Sequence, residues 1–253
     1  MADVIVEVDE HVQVIRISRP RVRNALNAAV ARGIADAIDQ AQSSDQIHVS
    51  VLTGDTDAFS SGADLRALSD GETAEIDGRG LCRIAYEPPA KPLIAAVEGW
   101  ALGAGLELLL SCDLVVAGTT AQFGLPEVRL GLVAGGGGAM LLPRRVPPAV
   151  AFEILLIGDP ISAERAAAIG LVNDVVPAGD ALRRAVELAQ LIARNAPLAV
   201  QAAKAIALQS AEWSRAEMWK LQAAVTAPVL GSLDAQEGGK AFLEGRAPVW
   251  RGR

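Results

Sequence analysis

"PLIAAVEGWALGAGLELLLSCDLVVAG", residues 92–118, decides the class of fold. Its first part, "PLIAAVEG" (92–99), is a short apolar run closed by glycine, which reads as a buried strand. A leucine-rich helix follows Gly103 and Gly105, and "CDLVVAG" (112–118) returns as another strand. Strand, helix and strand at this spacing predict right-handed βαβ units in an α/β layer structure.

Within this stretch Glu107 stands between two leucines, and "FGLPEVRLGL" (123–132) places Glu127 in a similar apolar setting. Burying a carboxylate without partners is costly. Two readings are open: both reach the surface or pair with an arginine, or they face each other across an active site.

Upstream, "VIVEV" and "VQVIRIS" read as two strands joined by a hairpin turn at "DEH". Asn27 is placed to cap a helix over 28–42, with Val30, Ile34, Ala37, Ile38 and Ala41 on one face. "HVSVLTG" (48–54) predicts a strand, followed by the loop "DTDAFSSGAD" and a helix over 72–86 stopped by Pro88 and Pro89. "AQFG" is a further short strand. Beyond 136 the pattern turns helical. Pro148 opens a helix to Ile157, Ser162 caps another that Gly170 stops, and "LVNDVVP" is the last strand. Helices are expected over 180–194, 198–210, 214–228 and 232–244. The division expected is a core over 1–195 and a helical oligomerisation region over 196–253.

With 51% apolar and 21% charged residues, the chain of 253 residues can bury a sizeable core. Its net charge of −7 argues against a nucleic-acid partner. "MADVIVEVDE" does not read as a secretory signal, and no run is apolar enough to span a membrane, so a cytoplasmic protein is expected. Cys82 and Cys112 are too few and too distant for a disulfide framework or a zinc site. His11 and His48 lie in strand-like stretches, so the chemistry must come from carboxylates, backbone amides or both.

Gly103 and Gly105 flank Ala104 at a helix start, where the first amides have no intrahelical acceptor. Such amides, at the positive end of the helix dipole, favour developing negative charge. Ala104 and Glu107 are three apart and share a helix face. "FSSGADL" (59–65) supplies a second candidate amide at Ala63, with Asp64 capping a short helix through Leu68. The dinucleotide fingerprint lacks its third glycine, no Walker lysine follows a glycine loop, and no GxSxG elbow occurs.

Together, "IAAVEGWALGAGLELLLSCDLVVAGTTAQFGLPEVRLGLVAGGGG", "RPRVRNALN", "FSSGADL", "GDPISAERAAAIGLVNDVV" and "AFLEGRAPVW" resemble, in the expected order, the crotonase (enoyl-CoA hydratase/isomerase) superfamily. Within it the chain is most similar to the enoyl-CoA hydratases, over nearly its whole length. The resemblance implies a spiral of ββα units followed by helices that build a trimer or a dimer of trimers. It implies an acyl-CoA thioester substrate, no metal, and no separate cofactor, coenzyme A being part of the substrate.

Carried over residue by residue, the amides of Ala63 and Ala104 fall on the family's oxyanion hole, and Glu107 and Glu127 on the two glutamates of hydratases. Arg23 and Ala25 fall near the nucleotide end of the CoA site, and Ala63, Asp64, Leu65 and Arg66 along the pantetheine. Three departures stand out: Ala104 replaces a glycine, Ala134 a common proline, and Gly245 a basic residue that some members place near the adenine. The implied reaction is reversible hydration of a 2-enoyl-CoA. Its alternatives are another crotonase reaction, such as carnitinyl-type dehydration or double-bond isomerisation, and non-catalytic acyl-CoA binding.

Overall fold

The computed structural model describes residues 2–76 and 78–253. Strands β1 (Val4–Asp9) and β2 (Val12–Ile17) form the expected antiparallel hairpin. Helix α1 (Ala28–Ser43) starts where Asn27 accepts a hydrogen bond from the Val30 amide, and it buries Val30, Ile34, Ala37, Ile38 and Ala41. The chain then repeats one theme. A strand in a large sheet is followed by a strand in a small one and then by a helix.

The first such unit is β3 (Val49–Thr53), β4 (Ala58–Ser60) and α2 (Leu65–Ser69). After a small hairpin, β5 (Glu75–Ile76) with β6 (Gly80–Leu81), comes β7 (Leu93–Val97), β8 (Trp100–Leu102) and α3 (Ala104–Leu110). The third is β9 (Leu114–Gly118), β10 (Gln122–Gly124), a 3-10 turn at Pro126–Leu130 and α4 (Gly138–Arg145). Helix α5 (Pro148–Ile157), β11 (Ile161–Ser162), α6 (Ala163–Ala168) and β12 (Asp174–Val176) close the spiral. The large sheet has the order β1-β2-β3-β7-β9-β12 and the small one β11-β10-β8-β4. This is the expected spiral of ββα units.

The large sheet is covered on both faces, which is why β3 and β7 are buried at every position, without alternation. One face packs in the main core with α1 and α3. The other packs under α7 (Ala181–Ala193), whose buried residues Ala181, Ala185, Ala189 and Ala193 recur every four positions. That alanine stripe lets the helix sit close to Val49, Val51, Ile94 and Val116.

Two expectations fail. Residues 72–86 form no helix among those described: the segment holds the β5–β6 hairpin. Gly78 and Gly80 both adopt positive φ, and Cys82 and Arg83 are left-handed as well. Each glycine costs a helix about 1 kcal/mol relative to alanine. Arg79 and Arg83 fasten the segment to Asp39 on α1 instead, at 2.6 and 2.9 Å. His11 and His48 lie outside the strands, in the hairpin turn and just before β3, where their rings stack at 4.2 Å.

Helices α8 (Pro197–Gln209), α9 (Met218–Leu230) and α10 (Leu233–Glu244) complete the chain. Lys204 on α8 ties them to the body, donating to Asp113 at 2.6 Å and to the Lys91 carbonyl at 3.1 Å. The C-terminal tail folds back on α10, where Asp234 accepts from the amides of Arg251 and Gly252. Neither α8 nor α9 has a buried residue, and Trp219, Leu230, Phe242 and Leu243 are exposed. No described helix is long and apolar enough to cross a membrane.

Candidate active site

A cavity of about 330 Å³ opens where the ends of β4 and β8 meet α3 and the turn after β10. Its wall includes Ala63, Asp64, Leu65, Ala104, Glu107 and Glu127. Arg23, Ala25 and Arg66 are not part of that wall. Arg23 is exposed in a left-handed turn, and Ala25 is buried with its carbonyl accepting from Arg19.

The two loops bearing the candidate amides lie against each other. A Cβ added to Gly62 would stand 3.4 Å from the Ala104 nitrogen. The bridge between Leu26 and Ala63 is made by the Leu26 and Asp64 amides, which leaves the Ala63 N–H out of the pairing. Ala104 is the first residue of α3, so its N–H has no acceptor within the helix. Gly103 before it has φ +53, which lets the chain turn sharply from β8 into α3. The result is two unengaged amides from separate turns of the spiral at one cavity.

Asp64 is engaged elsewhere. It caps α2 by accepting from the Arg66 and Ala67 amides, and it pairs with Arg19 at 3.0 Å. Arg19 also donates to Ala25, so it joins the "RPRVRNALN" turn to the loop that carries Ala63 and Asp64. The sequence gives little hint of that role, because the two segments are 45 positions apart.

Neither glutamate takes the surface or arginine-paired alternative. Glu107 is 4% exposed, and Oε1 accepts from the Gly138 amide at 2.9 Å. Burial is the largest influence and pushes its carboxyl up to about 7. The Gly138 amide opposes the shift, while the charge of Glu127 adds to it, with a smaller push from Glu75. Glu127 is also raised, chiefly by burial, and its Oε2 is buried without a hydrogen-bond partner among the described residues. Its neighbour Arg129 is turned away to Asp159 at 2.6 Å. The Glu127 Oε1 approaches to 3.0 Å from the Cβ position of Gly103, beside the Ala104 amide. Two carboxyls of raised proton affinity therefore share a cavity with two free amides. Such a set can move protons near neutral pH and stabilise a developing oxyanion.

The glycine run 135–138 has a function that its flexibility does not announce. A Cβ on Gly136 would lie 2.8 Å from Glu107 Oε2, so only glycine leaves the carboxylate its place. Glu72 and Glu75 also reach the cavity wall. Reading 72–86 as a helix hides them.

The sequence profile of the enoyl-CoA hydratase/isomerase family matches residues 7–253. The chain belongs to this family. Among curated members it is 39% identical to the 2,3-dehydroadipyl-CoA hydratase of Escherichia coli (strain K12), covering 100% of both chains. It is 38% identical to the carnitinyl-CoA dehydratase of Salmonella typhi over 94% of each. The crystal structure of an enoyl-CoA hydratase from Mycobacterium tuberculosis H37Rv superposes with a TM-score of 0.98, at 48% identity and full coverage of both chains. The crotonase fold and family membership are thus shown for the whole spiral and the helices after it.

Proposed function

We propose that this member of the enoyl-CoA hydratase/isomerase family adds water reversibly to a 2-enoyl-CoA, giving the 3-hydroxyacyl-CoA. The observation that carries the reading is the pair Glu107 and Glu127, both raised in proton affinity, on the wall that also presents Ala63 and Ala104. An isomerase or a binding protein needs no second carboxyl there.

In this mechanism the Ala63 and Ala104 amides hold the thioester oxygen and make Cβ electrophilic. A water oxygen attacks Cβ while Glu107, ionised, accepts the water proton. The C=C electron pair moves toward the thioester oxygen as an enolate. Glu127, protonated, delivers its proton to Cα as the carbonyl reforms. The product leaves Glu107 protonated and Glu127 ionised, and proton exchange through the pair or solvent restores the starting state. Dehydration of a 3-hydroxyacyl-CoA, the direction named for the Salmonella relative, is the same path reversed.

Arg23, Ala25, Leu65 and Arg66 complete the reading as the CoA-facing rim, outside the acyl cavity except for Leu65. The working assembly is a homotrimer or a dimer of trimers, supported by the lack of buried residues in α8 and α9. A cytoplasmic setting suits the two free, buried cysteines. Steady-state assays on a short 2-enoyl-CoA test the reaction: loss of the enoyl-thioester absorbance supports hydration, whereas binding without turnover or a shifted double bond contradicts it.

A further inference from the structure

The wall of the acyl cavity carries charge of one sign. Besides the catalytic pair it includes Asp64, Glu72 and Glu75, and no lysine, arginine or histidine among the described residues. Asp64 is already neutralised by Arg19. Glu72 and Glu75 are exposed, and the arginines of their own segment, Arg79 and Arg83, are both committed to Asp39 on α1. The hairpin sets Glu75 directly opposite Leu81. Leu81 in turn packs beside Glu107: its Cδ2 lies 3.2 Å from the Cβ position of Gly136, where Glu107 Oε2 lies at 2.8 Å. That places Glu75 beside the Leu81–Glu107 part of the wall, while Glu72 donates its amide to the Ala67 carbonyl of α2 at 2.9 Å. Glu127 lines the same wall, its Oε2 buried without a hydrogen-bond partner among the described residues.

A chain ending in a carboxylate would find no cation on this wall and would meet like charge. An ammonium end would find two carboxylates that have no ion-pair partner among the described residues. We propose that Glu72 and Glu75 make this cavity selective for the charge of the acyl chain, preferring a chain with an ammonium end over a neutral one and disfavouring a carboxylate end. The proposal rests on the hydration reading and adds the class of acyl group. Because both side chains are exposed, each contributes about two- to fivefold, the range of a solvent-exposed ion pair. Salt weakens the effect.

The test uses three 2-enoyl-CoA thioesters of matched length ending in trimethylammonium, methyl or carboxylate. The kcat/KM of each is measured for the full-length protein and for the Glu72→Gln/Glu75→Gln variant. Ratios between substrates are read on one protein sample, so any loss of active protein cancels. The expected ratio of ammonium to carboxylate is about tenfold or more at low salt, with the methyl compound between, and it falls about threefold or more in the variant. A ratio near or below one, or one unchanged in the variant, overturns the proposal. Absence of turnover with all three would overturn the hydration reading instead. The charge order is then decided by calorimetric dissociation constants of the three saturated thioesters, with the same ratios required.

Discussion

Glu107 Oε1 accepts the Gly138 amide at 2.9 Å, so the first free N–H of α4 holds the carboxylate of α3 in place. Gly136 closes on the other oxygen, with room for hydrogen but not for a methyl group. Gly136→Ala should therefore displace the carboxylate without touching CoA recognition. Turnover is expected to fall about tenfold to a hundredfold, the scale for misplacing a reacting group by an ångström, with KM little changed. An unaltered kcat would show that Glu107 does not depend on this wall.

The raised carboxyl of Glu107 also couples stability to pH. The folded state keeps a proton up to about 7 that the unfolded chain releases near 4.5. Between those values the folded state binds more protons, so stability is greatest below the lower one and is lost as pH rises through the upper. The loss is about 3 kcal/mol at most, at roughly 1.4 kcal/mol per unit of pKa. Glu107→Gln should flatten the decline in unfolding free energy between pH 5 and 8, as measured by denaturant titration. Equal slopes in the two proteins would mean that Glu107 is not held protonated.

Ala104 is the departure from the family pattern that lies nearest the chemistry. If its amide is half of the oxyanion hole, the methyl group matters only for space. Ala104→Gly should then keep hydration of a short enoyl-CoA within a few-fold. Ala104→Pro removes the donor and should cost about two to three orders of magnitude in kcat. A first helical position tolerates proline, and circular dichroism checks the fold. A folded, ligand-binding proline variant with near-normal turnover would place the oxyanion hole elsewhere.

The exposed apolar residues of α9 and α10, Trp219, Leu230, Phe242 and Leu243, are more than an isolated tail leaves to water without a partner. Light scattering at micromolar concentration should report a trimer or a multiple of three. A monomer would contradict the assembly.

Local signals in the sequence were readable where one residue determines an element's end. Asn27, Asp64 and Ser162 each accept the amide bonds that their positions predicted. The carboxylate pair was readable because charge in an apolar run demands a reason. What escaped was set by distant contacts. Asp39 draws Arg79 and Arg83 across 40 and 44 positions and holds as a hairpin a segment expected to be a helix. Gly138 meets Glu107 across 31 positions, a contact that the glycine run itself does not announce. Neither contact leaves a periodic trace.

The central claim is that Glu107 and Glu127 together move the protons of hydration, and the most direct measurement is kcat on a short 2-enoyl-CoA for Glu127→Gln. Glutamine keeps the size and hydrogen-bonding capacity of the side chain but cannot deliver the proton to Cα. The account predicts that acyl-CoA binding is retained, by calorimetry, while kcat falls by about two orders of magnitude or more, the scale of a lost general acid. A variant that binds normally and turns over at the parent rate would remove Glu127 from the mechanism and contradict the account.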